Sequence, residues 1–407
     1  MTRYRLILMK RNVFLLYASR LISSFGDQFY LIAISTTIYY QTQSALATTS
    51  FVIIKGITNL LGLIVYKPFS VTTQKKIALY SDLIRFLLVL LLCYFFNSNL
   101  ILVLMILIIM EGIQIFYSPA RVVLLNSYCL ASDRKRINSV DQVVTTISLA
   151  IGLSIAGFIY NLYGFKLTLI VDALSFLISA CLILALKSVG KYGNDGMQMN
   201  SKEKTALLTM IGIIKSKDNY ERRLLTVYFP LLYFSLVGYN SLIVVFVFSV
   251  LKKDEVTYGF FESSMSLGLF IGGIIITKYM TNKYIYTIRF MLLSIFLMGA
   301  LYLSVIFLRS VSLIAIILFL SSIFNMIYAV VQRYYLTTLT DKNKSDHLAN
   351  YWAIYRILCT IFGSLGTFFC ALLSDIYNVR SVMAFASIII MLQILYFYIM
   401  SKKYRLE

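Results

Sequence analysis

At 407 residues, with 13% charged side chains and 60% hydrophobic ones, the chain has about half the charge density of a soluble domain. Apolar runs of about 20 residues recur along its length, each enough for a helix to cross a hydrocarbon core of roughly 30 Å. They exclude a soluble globular protein, and are too long and too uniformly apolar for the strands of a membrane barrel. The net charge of +20 is spread over many short connections, which excludes a nucleic-acid-binding face.

The opening "MTRYRLILMKRN" leads into a run too long for the apolar part of a cleavable signal peptide. The first predicted span, 13–39, holds Arg20 and Asp27 seven residues apart, on one helical face with Tyr17, Ser24 and Leu31. The second, 44–66, carries Lys55 on a face with Asn59, Gly62 and Tyr66. The third, 77–96, has Asp82 and Arg85 near its inner end, preceded by Lys75 and Lys76. The fourth, 100–127, sets Glu111 on a face with Gln114, Ser118 and Arg121. The fifth and sixth, 137–162 and 167–187, hold Asp141 and Asp172. Both acids are expected in first helical turns, where unpaired N–H groups favour a carboxylate and the role is structural.

The one long polar connection, 188–222, follows. Its Leu207, Met210, Ile211 and Ile214 have helical spacing, with lysines at both ends. This predicts an amphipathic helix on the inner membrane surface, joining two halves. The remaining spans are 223–250, 258–280, 288–307, 311–338, 348–374 and 381–400. Glu262 lies in the eighth, nearer its outer end. Asn325, Tyr328, Gln332 and Tyr335 form a stripe on the tenth. Arg356 follows Trp352 by one turn on the eleventh. His347, the single histidine, is expected to be a loop residue. The five cysteines suggest neither a disulfide nor a metal site.

With the N-terminus inside, 26 Lys and Arg fall in inner segments and five in outer loops. That asymmetry predicts an even number of spans with both termini cytoplasmic. The predicted fold is therefore an all-α membrane protein of twelve transmembrane helices. Residues 1–187 form one six-helix bundle, 188–222 a cytoplasmic linker and 223–407 a second bundle. The halves repeat weakly: Tyr117, Ile137 and Gly152 correspond to Tyr328, Leu348 and Gly363 at one offset of 211. Two parallel six-helix repeats imply a transporter holding its substrate at midplane between them.

Four stretches of the first 185 residues, "RNVFLLYASRLISSFGDQFYLIA", "KKIALYSDLIRFLL", "FYSPARVVLLNSY" and "DRKRINSVDQVVTTISLAIGLSIAGFIYNLYGFKLTLIVDALSFLISA", resemble in order and spacing the macrolide-efflux-like branch of the major facilitator superfamily. The second half resembles it more loosely. The resemblance implies export of drugs or siderophores by proton antiport. It also implies that the first, fourth, seventh and tenth spans line the cavity, putting Asp27, Glu111 and Asn325 beside the substrate path. Two departures stand out. The superfamily's loop between spans two and three resembles G-x-x-x-D-R-x-x-R-[RK]. Here Tyr66, Ser70, Val71, Gln74 and Lys75 occupy those places, and only Lys75, Lys76 and the later Asp82 remain. In the fifth span Gly152 and Gly157 are present, but Leu153 stands where antiporters resemble one another in a proline.

Charges inside spans face protein or water and mark function or ion pairing. The candidate coupling and cavity residues are Asp27, Glu111, Arg20, Lys55, Asn325, Gln332, Arg356 and Glu262. The candidate gating residues are Asp82, Arg85, Arg121, Lys75 and Lys76. Asp27 and Glu111 are expected to change protonation, unless they are fixed in ion pairs with Arg20, Lys55 or Arg121. The leading expectation is a proton-driven exporter of a small amphipathic molecule in the bacterial cytoplasmic membrane. It is expected to be monomeric and in contact with the lipid bilayer, with no cofactor beyond the proton gradient and no nucleic-acid partner. A lipid or lysolipid flippase, or a ligand-binding immunity or receptor protein, are the alternatives. An enzyme is not expected, since no nucleophile motif, metal set or phosphate loop is present.

Overall fold

A computed structural model describes residues 3–65, 71–95, 100–187, 228–279, 288–341 and 348–403. The loop that departs from the superfamily's inner-gate motif (66–70), the amphipathic stretch of the linker and His347 lie outside the described residues. Eleven helices account for nearly everything else: α1 Arg3–Thr42, α2 Ala45–Val65, α3 Val71–Phe95, α4 Leu100–Ser127, α5 Arg134–Leu184, α6 Phe229–Ser241, α7 Glu255–Tyr279, α8 Ile288–Val305, α9 Val311–Asp341, α10 Leu348–Ile376 and α11 Val379–Lys403. A short turn, Ile243–Val245, and a π-helical turn, Phe246–Val250, prolong α6.

Among the described residues, eight helices are long and apolar enough to cross a membrane: α2 to α7, with α6 counted through its extension, and α9 and α10. Shorter apolar stretches lie in α8 and α11. The first helix falls outside the eight although it is the longest after α5. Arg20, Asp27 and the Ser, Thr and Gln residues around them dilute its apolar character. Helix α5 is one run of 51 residues, where two spans with a connection at 163–166 are expected. Gly164, at φ 74 and ψ −173, is its one non-helical residue. Only glycine adopts that conformation without a Cβ penalty, so a single residue separates 134–163 from 165–184. Neither acid is therefore in a first turn: Asp141 follows Arg134 by seven residues, and Asp172 follows Gly164 by eight. The first-turn expectation for both is corrected.

The chain divides into two compact units, Met1–Thr37 with Thr58–Met199, and Ile38–Ile57 with Asn200–Glu407. In the first, α1 is held against both arms of α5. A Cβ on Gly152 would stand 2.8 Å from Gln28, and one on Gly26 would stand 1.9 Å from the Ser175 hydroxyl. Such small residues let helix backbones approach where lipid supplies no hydrophobic force between helices. Hydrogen bonds run along the same seam. Tyr17 donates to the Ile137 carbonyl at 2.9 Å, Ser148 donates to the Leu21 carbonyl at 3.2 Å, and Ser19 and Ser179 share a bond of 2.8 Å. At the end of α5, Arg11 donates to the Ala185 carbonyl, Asn12 to that of Lys187, and Lys75 to those of Leu184 and Leu186. Cations and amides there satisfy carbonyls that a helix terminus leaves without intrahelical partners.

The second unit contains the C-terminal end of α1 and the N-terminal part of α2. Gln43 takes positive φ, 51°, after α1. The Tyr39 ring then stacks on Phe248 with centroids 5.3 Å apart. Asp375, at the end of α10, caps α2: its carboxylate accepts from Ser44 Oγ at 2.6 Å and from the backbone N–H groups of Ala45 and Leu46 at 2.5 and 3.1 Å. Elsewhere in this unit, Gly366 approaches the Phe234 carbonyl so closely that a Cβ would stand 1.9 Å from its oxygen.

Residues that the sequence pairs at the offset of 211 can be compared within their own units. Tyr117 and Tyr328 are both about 1% exposed, and neither hydroxyl has a partner among the described residues. Gly152 faces Gln28 and Phe25 of its unit's first helix, and Gly363 faces Val237 of α6.

Candidate functional site

Asp27 is half-buried on α1. No hydrogen bond or ion pair reaches its carboxylate among the described residues. Arg20, which the sequence offers as a partner, instead donates through Nε to Thr145 Oγ1 at 3.0 Å. Arg121 donates to the Leu16 carbonyl at 3.1 Å and pairs with Asp141 at 2.5 Å. It thus ties α4 to α1 and α5 inside one unit. Arg85, 1% exposed, pairs with Asp82, 0% exposed, on the same helix. Its guanidinium lies between two rings, 4.0 Å from the centroid of Tyr117 and 4.4 Å from that of Phe176. Ser179 Oγ donates to the other oxygen of Asp82 at 2.6 Å. The nearby arginines of this unit are therefore committed, and Asp27 is not one of their partners.

Two further acids share this region. Glu111, half-buried on α4, and Asp27 both act electrostatically on Tyr30, and so does Asp172. Tyr30 is thus within electrostatic reach of three carboxylates, one each from α1, α4 and α5. Asp172 is the residue that sequence reasoning missed. It is wholly buried, and neither carboxylate oxygen has a partner among the described residues. Its signal was available: Asp172, Ser175 and Ser179 fall at i, i+3 and i+7, a polar stripe along an otherwise apolar helix.

The remaining candidates are spread more widely. Lys75 holds the end of α5, as described, and Lys76 is exposed. Lys55 is exposed on the part of α2 that belongs to the second unit, where the adjacent Gly56 packs against Ser364 of α10. In that unit Asn325 is half-buried on α9. Gln332, one turn beyond Tyr328, is 2% exposed, and its amide nitrogen has no partner among the described residues. Arg356 is exposed on α10. Glu262 is half-buried on α7, within electrostatic reach of Tyr302, whose ring stacks on Tyr239 at 4.3 Å. Among the described residues no three Cys, His, Asp or Glu side chains are placed to hold a metal ion. A cavity of about 290 Å³ in the first unit lies away from Asp27. Met9, Val13 and Tyr17 line it on one side, and Tyr128, Cys129 and Ile137 on the other.

The arrangement contains no nucleophile with a base. It is a set of intramembrane acids, of which Asp27 and Asp172 have no hydrogen-bond or ion-pair partner among the described residues. Comparison with known proteins gives this a context. The family model described as "Major Facilitator Superfamily" matches residues 16–367. The chain is 25% identical over 284 residues to "Uncharacterized MFS-type transporter YvqJ" of Bacillus subtilis (strain 168), a match covering 68% of this chain and 66% of that protein, just under two thirds of its length. The fold is similar to that of the nucleoside transporter NupG, with a TM-score of 0.76, 13% identity, and 96% and 99% of the two chains covered. It is also similar to a POT family transporter in complex with 5-aminolevulinic acid, with a TM-score of 0.74, 11% identity and coverage of 97% and 96%. A third similar structure is a bacterial homolog to the human lysosomal transporter Spinster, with a TM-score of 0.66, 11% identity and coverage of 99% and 98%. At such identities the likeness is one of fold.

Proposed function

Because the chain belongs to the major facilitator superfamily and is a multi-pass membrane transporter rather than an enzyme, we propose that it is a proton-coupled exporter of a small amphipathic molecule, of the macrolide-efflux-like branch. It works by alternating access between two six-helix halves, twelve spans in all, with both termini in the cytoplasm. The observation that carries this reading is Asp27, a half-buried carboxylate inside a span with no ion-pair or hydrogen-bond partner among the described residues. A proton-coupling group must exist in both charge states within one transport cycle. A carboxylate locked to an arginine does so only at high cost, whereas one poised between burial and a movable neighbour changes state easily. Glu111, sharing Tyr30 with Asp27, is the second coupling carboxylate. Asn325, Gln332, Arg356 and Glu262 supply polar contacts to cargo from the second half, and Lys55 from the second span of the first. The cationic candidates favour cargo that is anionic or rich in carbonyl groups.

The break of α5 at Gly164 supports an even span number, and the excess of Lys and Arg on one side supports the orientation. The outer ends of α1 and α2, fastened by Phe248 and Asp375, serve as the outer gate.

The test is purified protein in liposomes under an imposed pH gradient, loaded in turn with a macrolide, a siderophore and a lysolipid. Proton movement that requires one of the three soluble or lipid cargoes, and disappears in Asp27→Asn, supports coupled transport. Equal flux by Asp27→Asn removes that residue from the coupling role, and binding without flux supports the receptor alternative.

A further inference from the structure

We propose that Asp172 is a second proton-binding site, enclosed within the first unit and exchanging its proton through Asp27. Its use in transport rests on the proton-coupled reading above; the existence of the site does not.

The geometry begins with enclosure. The Asp172 side chain is 0% exposed, and both carboxylate oxygens lack a hydrogen-bond partner among the described residues. The neighbouring hydroxyl that could serve it, Ser175 Oγ, donates instead to the backbone carbonyl of Asp172 at 2.7 Å. A carboxylate out of water with no donor holds a proton, because the ionised form has nothing to replace its hydration. The titratable groups within electrostatic reach of it are Asp27 and Tyr30 from α1 and Arg85 and Cys93 from α3. Arg85, the cation among them, is bound to Asp82 and held between Tyr117 and Phe176. Asp27, Asp82 and Asp172 against one arginine would leave a net charge of −2 in a membrane interior. A proton on Asp172 removes half of that excess.

The route is set by Gly26. Asp172 Oδ1 would lie 2.8 Å from a Cβ at that position. Only the missing side chain lets the buried carboxyl reach the α1 backbone beside Asp27. Asp27 is half-buried rather than enclosed, so it is the group that exchanges with water. A metal ion in place of the proton is disfavoured, since no three suitable ligands converge among the described residues.

The acids are not a requirement of six-helix architecture. In the second unit, α8 carries no charged residue after Arg289, and α11 none between Arg380 and Lys402. These helices stand third and sixth there, as α3 and the 165–184 arm of α5 do in the first.

The experiment needs no cargo. Infrared spectra of the purified full-length protein in lipid nanodiscs are recorded across a pH titration, following the C=O band of protonated carboxyl groups. The expected result is a band at neutral pH that is absent in Asp172→Asn and is lost as the wild type is made alkaline. In Asp27→Asn the pH of that loss is displaced. A neutral-pH band unchanged by Asp172→Asn overturns the proposal, because the proton is then elsewhere. So does a band that Asp172→Asn removes but that persists unchanged to the alkaline end, which marks a fixed neutral acid. Should Asp172→Asn fail to fold, Asp172→Glu keeps the acid and must move the band rather than leave it in place. If the infrared result holds while Asp27→Asn transports normally in liposomes, the coupled-export reading fails and the buried site stands.

Discussion

Arg85 is the most heavily committed side chain in the first unit, paired with Asp82 and enclosed by Tyr117 and Phe176. Breaking a buried pair from one side leaves a charge without compensation, which costs about 3–5 kcal/mol. Arg85→Ala should therefore lower the thermal midpoint of the purified protein sharply. The double replacement Asp82→Leu with Arg85→Leu removes both charges and should recover most of that loss. A double variant as unstable as Arg85→Ala would mean that the ring contacts, rather than the ion pair, hold the site. Asp27 makes the opposite prediction. Since no partner reaches it among the described residues, Asp27→Asn should leave the midpoint nearly unchanged while abolishing coupled flux. Asp82, a gating candidate in the sequence, and Asp27, a coupling candidate, are thus separable by stability alone.

At the scale of helices, glycines divide by what surrounds them. A Cβ at Gly26 would meet Ser175 and Asp172, whereas one at Gly112 meets nothing within 4 Å. Gly26→Val should cost about 1–3 kcal/mol by overpacking. Gly112→Ala should be neutral, or stabilise α4 by up to about 1 kcal/mol, since alanine is the better helix former. Thermal unfolding of the two variants side by side checks both signs. The cap on α2 makes a second prediction. Asp375→Ala removes three hydrogen bonds from the start of that helix, at about 1 kcal/mol for a lost N-cap. Hydrogen–deuterium exchange should rise at Ala45 and Leu46 and stay constant at mid-helix. Unchanged exchange at those amides would show that α2 does not depend on Asp375.

For the whole molecule, orientation is the property open to direct measurement. A reporter that is active only in the cytoplasm, fused after the last residue, should be active. The same reporter inserted at Lys252–Lys253 should be silent. Reversal of the two would overturn the orientation drawn from Lys and Arg placement. The two units also differ in kind. The first contains Arg121–Asp141 and Asp82–Arg85, and the second builds α8 and α11 without internal charge. The proposed proton chemistry therefore belongs to the first, and the aromatic and amide-rich faces around Tyr328 and Gln332 belong to the second.

The helical membrane class was legible in the chain because lipid imposes it locally. A run of apolar residues must be a helix there whatever it later packs against, and Tyr117 and Gly152 return at a constant offset as Tyr328 and Gly363. The candidate acids were legible for the same reason, since a charge in such a run is conspicuous. Their roles were not. Arg20 and Asp27 share a helical face in the sequence, yet Arg20 turns to Thr145, and no hydrogen bond or ion pair reaches Asp27 among the described residues. Which side chain meets which is decided by packing between helices distant in sequence. Asp172 shows this most clearly: at a supposed helix start it is an ordinary capping acid. Only the single-residue break at Gly164, and the approach of Gly26 from another helix, make it a buried carboxyl without a partner among the described residues.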